Sequence, residues 1–555
     1  MSVIKIGNTM IFESNANPVN STSNNLNLNA AVLTIPQLVL RAAELYNSDV
    51  AIEDDSEKIS YAELATRALA VSKSLIAAGV TPGDRVAIWL PNCANWVIAS
   101  LGLQMAGAIL VPLNTRMKPT EAADILARSG TKLLFVMGDF LGVDYPAALA
   151  KLLPVNVEAQ VIVSARAATS SNPLRLTQTW QQFLAMGNNQ TSEIALERAN
   201  AVKPDDIADL MFTSGTTGKP KGVMSSHRSC LLAFTQFVEI LGIEKGDRYL
   251  VVNPFFHAFG YKAGWLTCLI AGATILPHKV FDADEVIERI QKDKISVLPG
   301  PPTLYLSMLS HPKLEYTDLS SLRVAVTGAA TIPPVLIERM RSELGFKIVT
   351  TAYGLTECGG LATICNPDED VNTISTTSGS AIKGTQISIQ SNSGQPLGIG
   401  VQGEICIKGF HVMQGYFQNA TATAEAIDND NWLHTGDIGM LDECGNLTIT
   451  GRLKDMFIVG GFNCYPAEIE AVLAEHDAIS LSAVIGVPCE RMGEVGCAYI
   501  VCKLGHTINE QELISWSRER MANYKVPRHV RFVNSLPVNA SNKVIKTALA
   551  ADFSA

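Results

Sequence analysis

A chain of 555 residues with 47% hydrophobic and 17% charged residues has the length and balance of a core-rich globular protein of about three or four structural units. A formal net charge of −10 excludes nucleic-acid binding through a basic stripe. Eleven scattered cysteines with no Cys-x-x-Cys pair argue against a disulfide framework or a zinc ribbon, and for reduced thiols in the cytoplasm.

In chain order, residues 1–34 read as an irregular lead-in. Residues 14–29 are rich in asparagine and serine, and no charged-then-apolar secretion signal precedes them. Ser60 and Glu63 have capping-box spacing, and Leu64, Ala68, Val71, Leu75 and Ala78 recur at helical spacing until Gly79. A short strand is expected at 85–90. Apolar stretches at 98–113 and 263–277 contain polar residues or glycine and fall short of the ~20 apolar residues that span a bilayer, so no transmembrane segment is expected. Strand, helix and strand alternate at 273–276, 282–292 and 295–298, and again at 322–326, 335–344 and 347–351. This predicts an α/β fold of parallel sheets covered by helices on both faces. Residues 379–450 carry short alternating runs broken by turn residues, a small β-rich subdomain. A compact α+β unit follows over 453–555, with helices near 467–475 and 509–521.

The densest chemistry lies at 212–222, Phe-Thr-Ser-Gly-Thr-Thr-Gly-Lys-Pro-Lys-Gly, behind a run at 207–211 that reads as a buried strand. The loop therefore starts at a strand's carboxyl end, where open α/β sheets place ligands. Gly215 and Gly218 allow backbone N–H groups to approach an anion, Thr213, Ser214, Thr216 and Thr217 add hydroxyl donors, and Lys219 and Lys221 add positive charge. Such a loop suits a polyphosphate, although the spacing is not that of a Walker P-loop.

Together with Tyr353-Gly354-Leu355-Thr356-Glu357, Trp432-Leu433-His434-Thr435-Gly436-Asp437, Gly451-Arg452-Leu453-Lys454-Asp455 and Lys543, in that order, this loop resembles the adenylate-forming superfamily. That superfamily comprises acyl-CoA synthetases, aryl-CoA ligases, luciferases and peptide-synthetase adenylation domains. The resemblance implies a three-part N-terminal domain over 35–452 and a mobile C-terminal lid over 453–555, with a hinge at Lys454. It implies a two-step conversion of a carboxylic acid to an acyl-adenylate and then to an acyl-CoA, using ATP, Mg2+ and coenzyme A. By the same resemblance, Thr213, Ser214, Gly215, Thr216, Thr217 and Lys221 hold the β,γ-phosphates, and Thr356 and Glu357 stand near the α-phosphate, with Glu357 the magnesium ligand. Gly328, Ala329, Ala330, Ala352, Tyr353 and Gly354 border the adenine, Asp437 takes the ribose hydroxyls and Arg452 accompanies it. Lys543 reaches the α-phosphate and the acyl carboxylate. Asn542 stands where the family has glycine, and asparagine tolerates left-handed backbone angles. Gly460 and Gly461 line a pantetheine tunnel, and Lys279 meets the CoA phosphates.

The resemblance also places His257, Phe259, Gly264, Trp265, Gly300, Pro302, Thr303, Val326, Gly328 and Ala362 around the acyl group, a mostly apolar set suited to a hydrophobic acid. No aspartate stands near His257 to pair with an amino acid's amine, which disfavours peptide synthesis. Asn253-Pro254-Phe255-Phe256-His257, Gly260-Tyr261-Lys262-Ala263-Gly264 and Leu298-Pro299-Gly300-Pro301-Pro302 are similar to bacterial ligases of steroid breakdown, which activate an indanedione propanoate. For that acid, Gly264 and the turn at Gly300 are expected to widen the chamber, and Tyr261, Thr303 or His257 to donate to the ring ketones. Ligases of medium-chain fatty or of cyclic and aromatic acids share much of the pattern. A luciferase-like oxygenase and a non-catalytic acyl-AMP-binding homologue are rivals of another kind, and a homodimer is left open.

Overall fold

The computed structural model describes residues 2–6, 9–13, 33–163, 176–213, 220–328, 332–459, 462–538 and 544–554. Two large, mainly parallel sheets dominate the first two thirds. One runs in the order Leu176–Thr179, Ala159–Ile162, Thr131–Val136, Arg85–Trp89, Ile109–Pro112, Ile207–Thr213 and Lys221–Ser226, parallel throughout except for its last pair. In the other, Glu57–Ser60, Val50–Asp54, Thr274–Pro277 and Arg248–Val251 are joined to Val324–Thr327 and Ile348–Tyr353 through parallel bridges from Val297 to Tyr249 and to Val324. The strand expected at 295–298 is thus reduced to these bridges, although its backbone still bonds to both neighbours, for example Leu298 N–H to Val324.

Helix Ala94–Met105 buries every residue but Asn95. This explains the apolar stretch beginning near residue 98, since a helix apolar all round belongs in a core. It packs closely on helix Tyr61–Ala77, because a Cβ on Gly102 would stand 2.5 Å from the Val71 side chain. Only half of the expected capping box forms at that second helix. Ser60 accepts the Glu63 N–H at 3.1 Å, but the Glu63 carboxylate turns to Arg67, one helical turn on. Asp282 caps helix Ala283–Asp293 as its spacing suggests.

Strands Thr385–Gln390, Gly403–Gly409, Leu433–Leu441 and Leu447–Arg452 form an antiparallel sheet. Ser2–Ile6 and Thr9–Glu13 pair with each other and extend it at Thr385–Gln390, so the first part of the stretch read as irregular is a hairpin. The signal was present: apolar-rich runs flank the dipeptide Gly7-Asn8. The last hundred residues build a separate core, running from Phe457 to Leu549, under the sheet of Phe462–Cys464, Phe457–Val459, Gly493–Cys502 and Ile479–Cys489, with His529–Phe532 parallel to Gly493–Cys502. Among the described residues, no helix is long and apolar enough to cross a membrane.

Candidate active site

The strand Ile207–Thr213 delivers Thr213 to the rim of its sheet, and the antiparallel return Lys221–Ser226 puts Lys221 opposite it. From the other large sheet, Ile348–Tyr353 runs into a single 3-10 turn, Thr356–Cys358, which carries Thr356 and Glu357. These groups converge. Glu357 Oε1 accepts from Thr213 Oγ1 at 3.5 Å and from the Tyr416 hydroxyl at 3.0 Å, and Lys221 Nζ lies 4.9 Å from the centroid of the Tyr416 ring. Met413 N–H donates to the Glu357 carbonyl at 2.8 Å, which fixes the backbone of the turn. Tyr416 is a partner that sequence reasoning missed. Its cue is slight, a tyrosine after Met413-Gln414-Gly415 with nothing in the local pattern to mark it as a ligand of Glu357.

Gly354 lies where the chain passes against itself. A Cβ there would come within 2.4 Å of the Gly360 backbone, so no other residue fits. Gly328 sits at the carboxyl end of Val324–Thr327, where a Cβ would stand 3.1 Å from the carbonyl of Ala352 on the adjacent parallel strand. Tyr353 donates its hydroxyl to Asp437 Oδ2 at 2.7 Å, and Arg452 Nε meets Oδ1 of the same carboxylate at 3.1 Å. Burial, with the Asp437 charge added to it, holds the Tyr353 phenol well above its ordinary range, so it remains a donor. The turn ahead of Asp437 is tied down. Gly436, at φ +69°, donates its N–H to Glu404 Oε1 at 3.0 Å, while Thr435 Oγ1 accepts the Asp437 N–H and donates to Ile405. Lys454 follows in the 3-10 turn Leu453–Asp455, where burial and then the Arg452 charge lower its ammonium pKa.

The run at 207–211 is not wholly apolar. Asp209 is fully buried in it, 3.2 Å from the fully buried Lys262 Nζ, which also donates to Ser225 Oγ at 3.0 Å. Burial pulls the Lys262 pKa down, but the Asp209 charge, with Cys230 added to it, outweighs burial and leaves the pKa raised, so Lys262 stays an ammonium. Lys262 belongs to a π-helical segment, Tyr261–Leu266, an arrangement frequent at functional sites. This ion pair therefore ties that segment to the strand that leads into residues 214–219.

The acyl-site expectations need several corrections. Trp265 is fully buried in an aromatic cluster with Trp96 and Tyr261, stacked on Tyr261 at 4.8 Å. The Tyr261 hydroxyl accepts from Gln104 at 3.0 Å inside the core, so it is not offered to a ligand. Gly264 does not open a void, because the Val251 side chain fills the space where its Cβ would be, at 2.8 Å, and Leu304 does the same at Gly300. Val326, Ala362 and Pro302 are buried, whereas His257 and Thr303 are exposed and Phe259 is half-buried. His257 caps a short turn, accepting the Phe259 N–H on Nδ1 at 3.3 Å. Lys279 is engaged by Asp55 at 2.8 Å and by Asp54 at 3.9 Å, so it is not an unshared cation for a phosphate. Ser214, Gly215, Thr216, Thr217, Ala329, Ala330, Gly460, Gly461 and Lys543 lie outside the described residues.

Comparison with known proteins gives a consistent outcome. The family model "AMP-binding enzyme" matches residues 39–417, and "AMP-binding enzyme C-terminal domain" matches 468–543. A Rhodococcus jostii protein named 3-[(3aS,4S,7aS)-7a-methyl-1,5-dioxo-octahydro-1H-inden-4-yl]propanoyl:CoA ligase is 48% identical over 93% of this chain and 98% of its own. A protein of the same name from Mycobacterium tuberculosis is 47% identical over the same shares. Among solved structures, O-succinylbenzoate coenzyme A synthetase from Bacillus subtilis, in complex with AMP, aligns at a TM-score of 0.78 and 29% identity, covering 92% of this chain and 97% of its own.

Proposed function

The chain belongs to the AMP-binding enzyme family, and from that premise we propose that it is an ATP- and Mg2+-dependent acid–CoA ligase acting on an indanedione propanoate. The reaction class is supported most directly by the meeting of Thr213, Lys221 and Glu357 beside the Tyr353–Asp437–Arg452 cluster. The choice of acid is supported by the names of two relatives that each align over 93% of the chain.

A carboxylate is a poor electrophile, and the oxide it would have to expel is a poor leaving group. In the first step a carboxylate oxygen bonds to the α-phosphorus of ATP and the bond to pyrophosphate breaks. In the second, the thiol sulfur of CoA bonds to the acyl carbon, its proton is lost and AMP leaves. Both steps crowd negative oxygens, so fixed positive charge and aimed donors govern the rate. Thr213 and Lys221 would receive the β- and γ-phosphates, and Lys543 would add a cation at the α-phosphate during the first step. Asp437 would accept both ribose hydroxyls, since Arg452 and Tyr353 each occupy only one direction on its two oxygens. Glu357 suits magnesium, a hard cation bound by one or two carboxylates together with substrate phosphates. Tyr416 and Thr213 share Oε1 of Glu357, leaving Oε2 as the oxygen neither of them uses. When bound, the ion would neutralise charge between the phosphate oxygens. Gly460 and Gly461 would admit the pantetheine arm. We place the protein in the cytoplasm, where its eleven cysteine thiols would stay reduced.

The test is mass spectrometry of reactions with and without CoA. The bicyclic propanoate should give acyl-AMP from ATP alone and acyl-CoA once CoA is added. Absence of acyl-AMP from every acid in a panel of fatty, cyclic and aromatic acids would overturn the ligase reading, and oxygen uptake would favour an oxygenase.

A further inference from the structure

Away from Glu357, three more ligating side chains meet on two adjacent strands of the antiparallel sheet. Cys406 and His434 are direct cross-strand partners, and a bulge between Glu404 and Cys406 brings both to the same ring nitrogen. His434 Nδ1 lies 2.9 Å from Glu404 Oε2 and 3.5 Å from Cys406 Sγ, with all three ligand atoms within 4.8 Å of one another. We propose that Glu404, Cys406 and His434 form a binding site for a thiophilic divalent cation, for which zinc is the best match, separate from the magnesium ligand Glu357.

The spacing suits a tetrahedral ion. With zinc at about 2.3 Å from sulfur and about 2.0–2.1 Å from nitrogen and oxygen, tetrahedral angles put sulfur and nitrogen about 3.6 Å apart and nitrogen and oxygen about 3.4 Å apart. The first matches the structure, and the second needs a half-ångström outward turn of the Glu404 carboxylate. A thiolate and an imidazole exclude the hard cations magnesium and calcium. Independent support comes from the far side of the ring, where Asp428 Oδ2 stands 3.5 Å from His434 Nε2. A carboxylate on the second ring nitrogen is the usual outer partner of a metal-bound histidine, because it fixes the tautomer that leaves the first nitrogen free to ligate. The Gly436 N–H braces the other Glu404 oxygen in the same way. Cys406 is buried, while the side chains of His434 and Glu404 keep 29% and 20% of their surface exposed. The ion can therefore enter past these two, and water can take the fourth position. Binding forms bonds to sulfur, nitrogen and oxygen: the Cys406 thiol proton leaves to solvent, and the ring proton that Nδ1 shares with Glu404 is exchanged for one on Nε2 facing Asp428, with no change of oxidation state. Sequence spacing could not show this set, because its members come from two strands.

The experiment titrates metal-stripped, full-length protein with Cd2+, reading the ultraviolet thiolate-to-cadmium band, and then displaces the ion with Zn2+. The expected result is one tight equivalent that C406S abolishes and that H434Q and D428N each weaken about 10–100-fold, while C444S, at an exposed cysteine, leaves it unchanged. Should C406S fold poorly, D428N on the surface turn still decides, since it alters no thiol. A band that survives in C406S, a D428N affinity equal to wild type, or a wild-type protein with no thiolate band would each overturn the site.

Discussion

Glu357 is one glutamate among many in the sequence, and its placement depends on neighbours 59 and 144 residues away in the chain. The motif Tyr353-Gly354-Leu355-Thr356-Glu357 pointed to it through its resemblance to the family and its place directly after a strand, both local features of the sequence. Tyr416 was illegible because a distant hydroxyl leaves no local pattern. Losing a hydrogen bond to a charged group costs about 1.5–3 kcal/mol. Tyr416→Phe should therefore slow adenylation about tenfold to a hundredfold, measured as pyrophosphate release at saturating ATP and magnesium, with the melting temperature little changed. An unaltered rate would detach Tyr416 from the positioning of Glu357. Two histidines make a pH prediction of their own. Burial lowers His227 to about 3 and His411 to about 4. His227 Nδ1 accepts the Ile35 N–H at 3.3 Å, and both His411 nitrogens lack a partner among the described residues. Below about pH 6.5 the unfolded chain protonates these rings while the folded one does not, so stability must fall on acidification. Each ring contributes about 1.4 kcal/mol per pH unit between there and its lowered pKa. Urea denaturation at pH 6.5 and pH 5.5 should show that loss, and His411→Phe should reduce it. A midpoint independent of pH across this window would contradict it.

At the scale of elements, capped helices and the strands following them were legible, since caps and periodicity act over three or four residues. The reading failed where tertiary packing decides. Asp209 hid inside an apparently apolar run because its compensating charge, Lys262, lies 53 residues away on a π-helical segment that no periodicity announces. Gly264 and Gly300 suggested room, but whether a missing Cβ leaves space depends on Val251 and Leu304, which fill it. The ion pair ties the π-helical segment to the strand that leads into residues 214–219. Removing one partner of a buried pair leaves an uncompensated charge and costs about 3–5 kcal/mol, whereas replacing both with apolar residues is often near neutral. Lys262→Met alone should therefore destabilise strongly in urea titrations, and the double variant Lys262→Met, Asp209→Leu should recover most of the loss. Equal destabilisation by single and double variants would show that the two charges do not act as a pair.

For the whole molecule, parallel sheets, a small β-rich subdomain and a compact C-terminal unit were foreseeable from alternating strand and helix signals and from the change of pattern near residue 379. The N-terminal strand pair left a signal in its apolar-rich runs, but the reading of 1–34 as one irregular stretch passed over it. The architecture brings both large sheets to one rim, where Thr213 from one and Glu357 from the other meet, the junction at which we propose the nucleotide chemistry. The apolar segment from His257 to Leu266 is linked to that junction through Lys262. A bicyclic diketone with a propanoate arm would need polar partners as well as width, and under the proposed assignment the exposed side chains of His257 and Thr303 are the ones we propose to supply them. Sites that hydrogen-bond a substrate reject analogues lacking those groups far more strongly than they reject a missing methylene, which costs about 1–3 kcal/mol.

The most direct test of the central claim is kcat/KM for acyl-CoA formation with the indanedione propanoate, set against octanoate and cyclohexanecarboxylate under identical ATP, magnesium and CoA. A clear preference for the bicyclic acid is expected, at least a hundredfold if the site hydrogen-bonds its ring ketones. Octanoate turned over as well or better would contradict it.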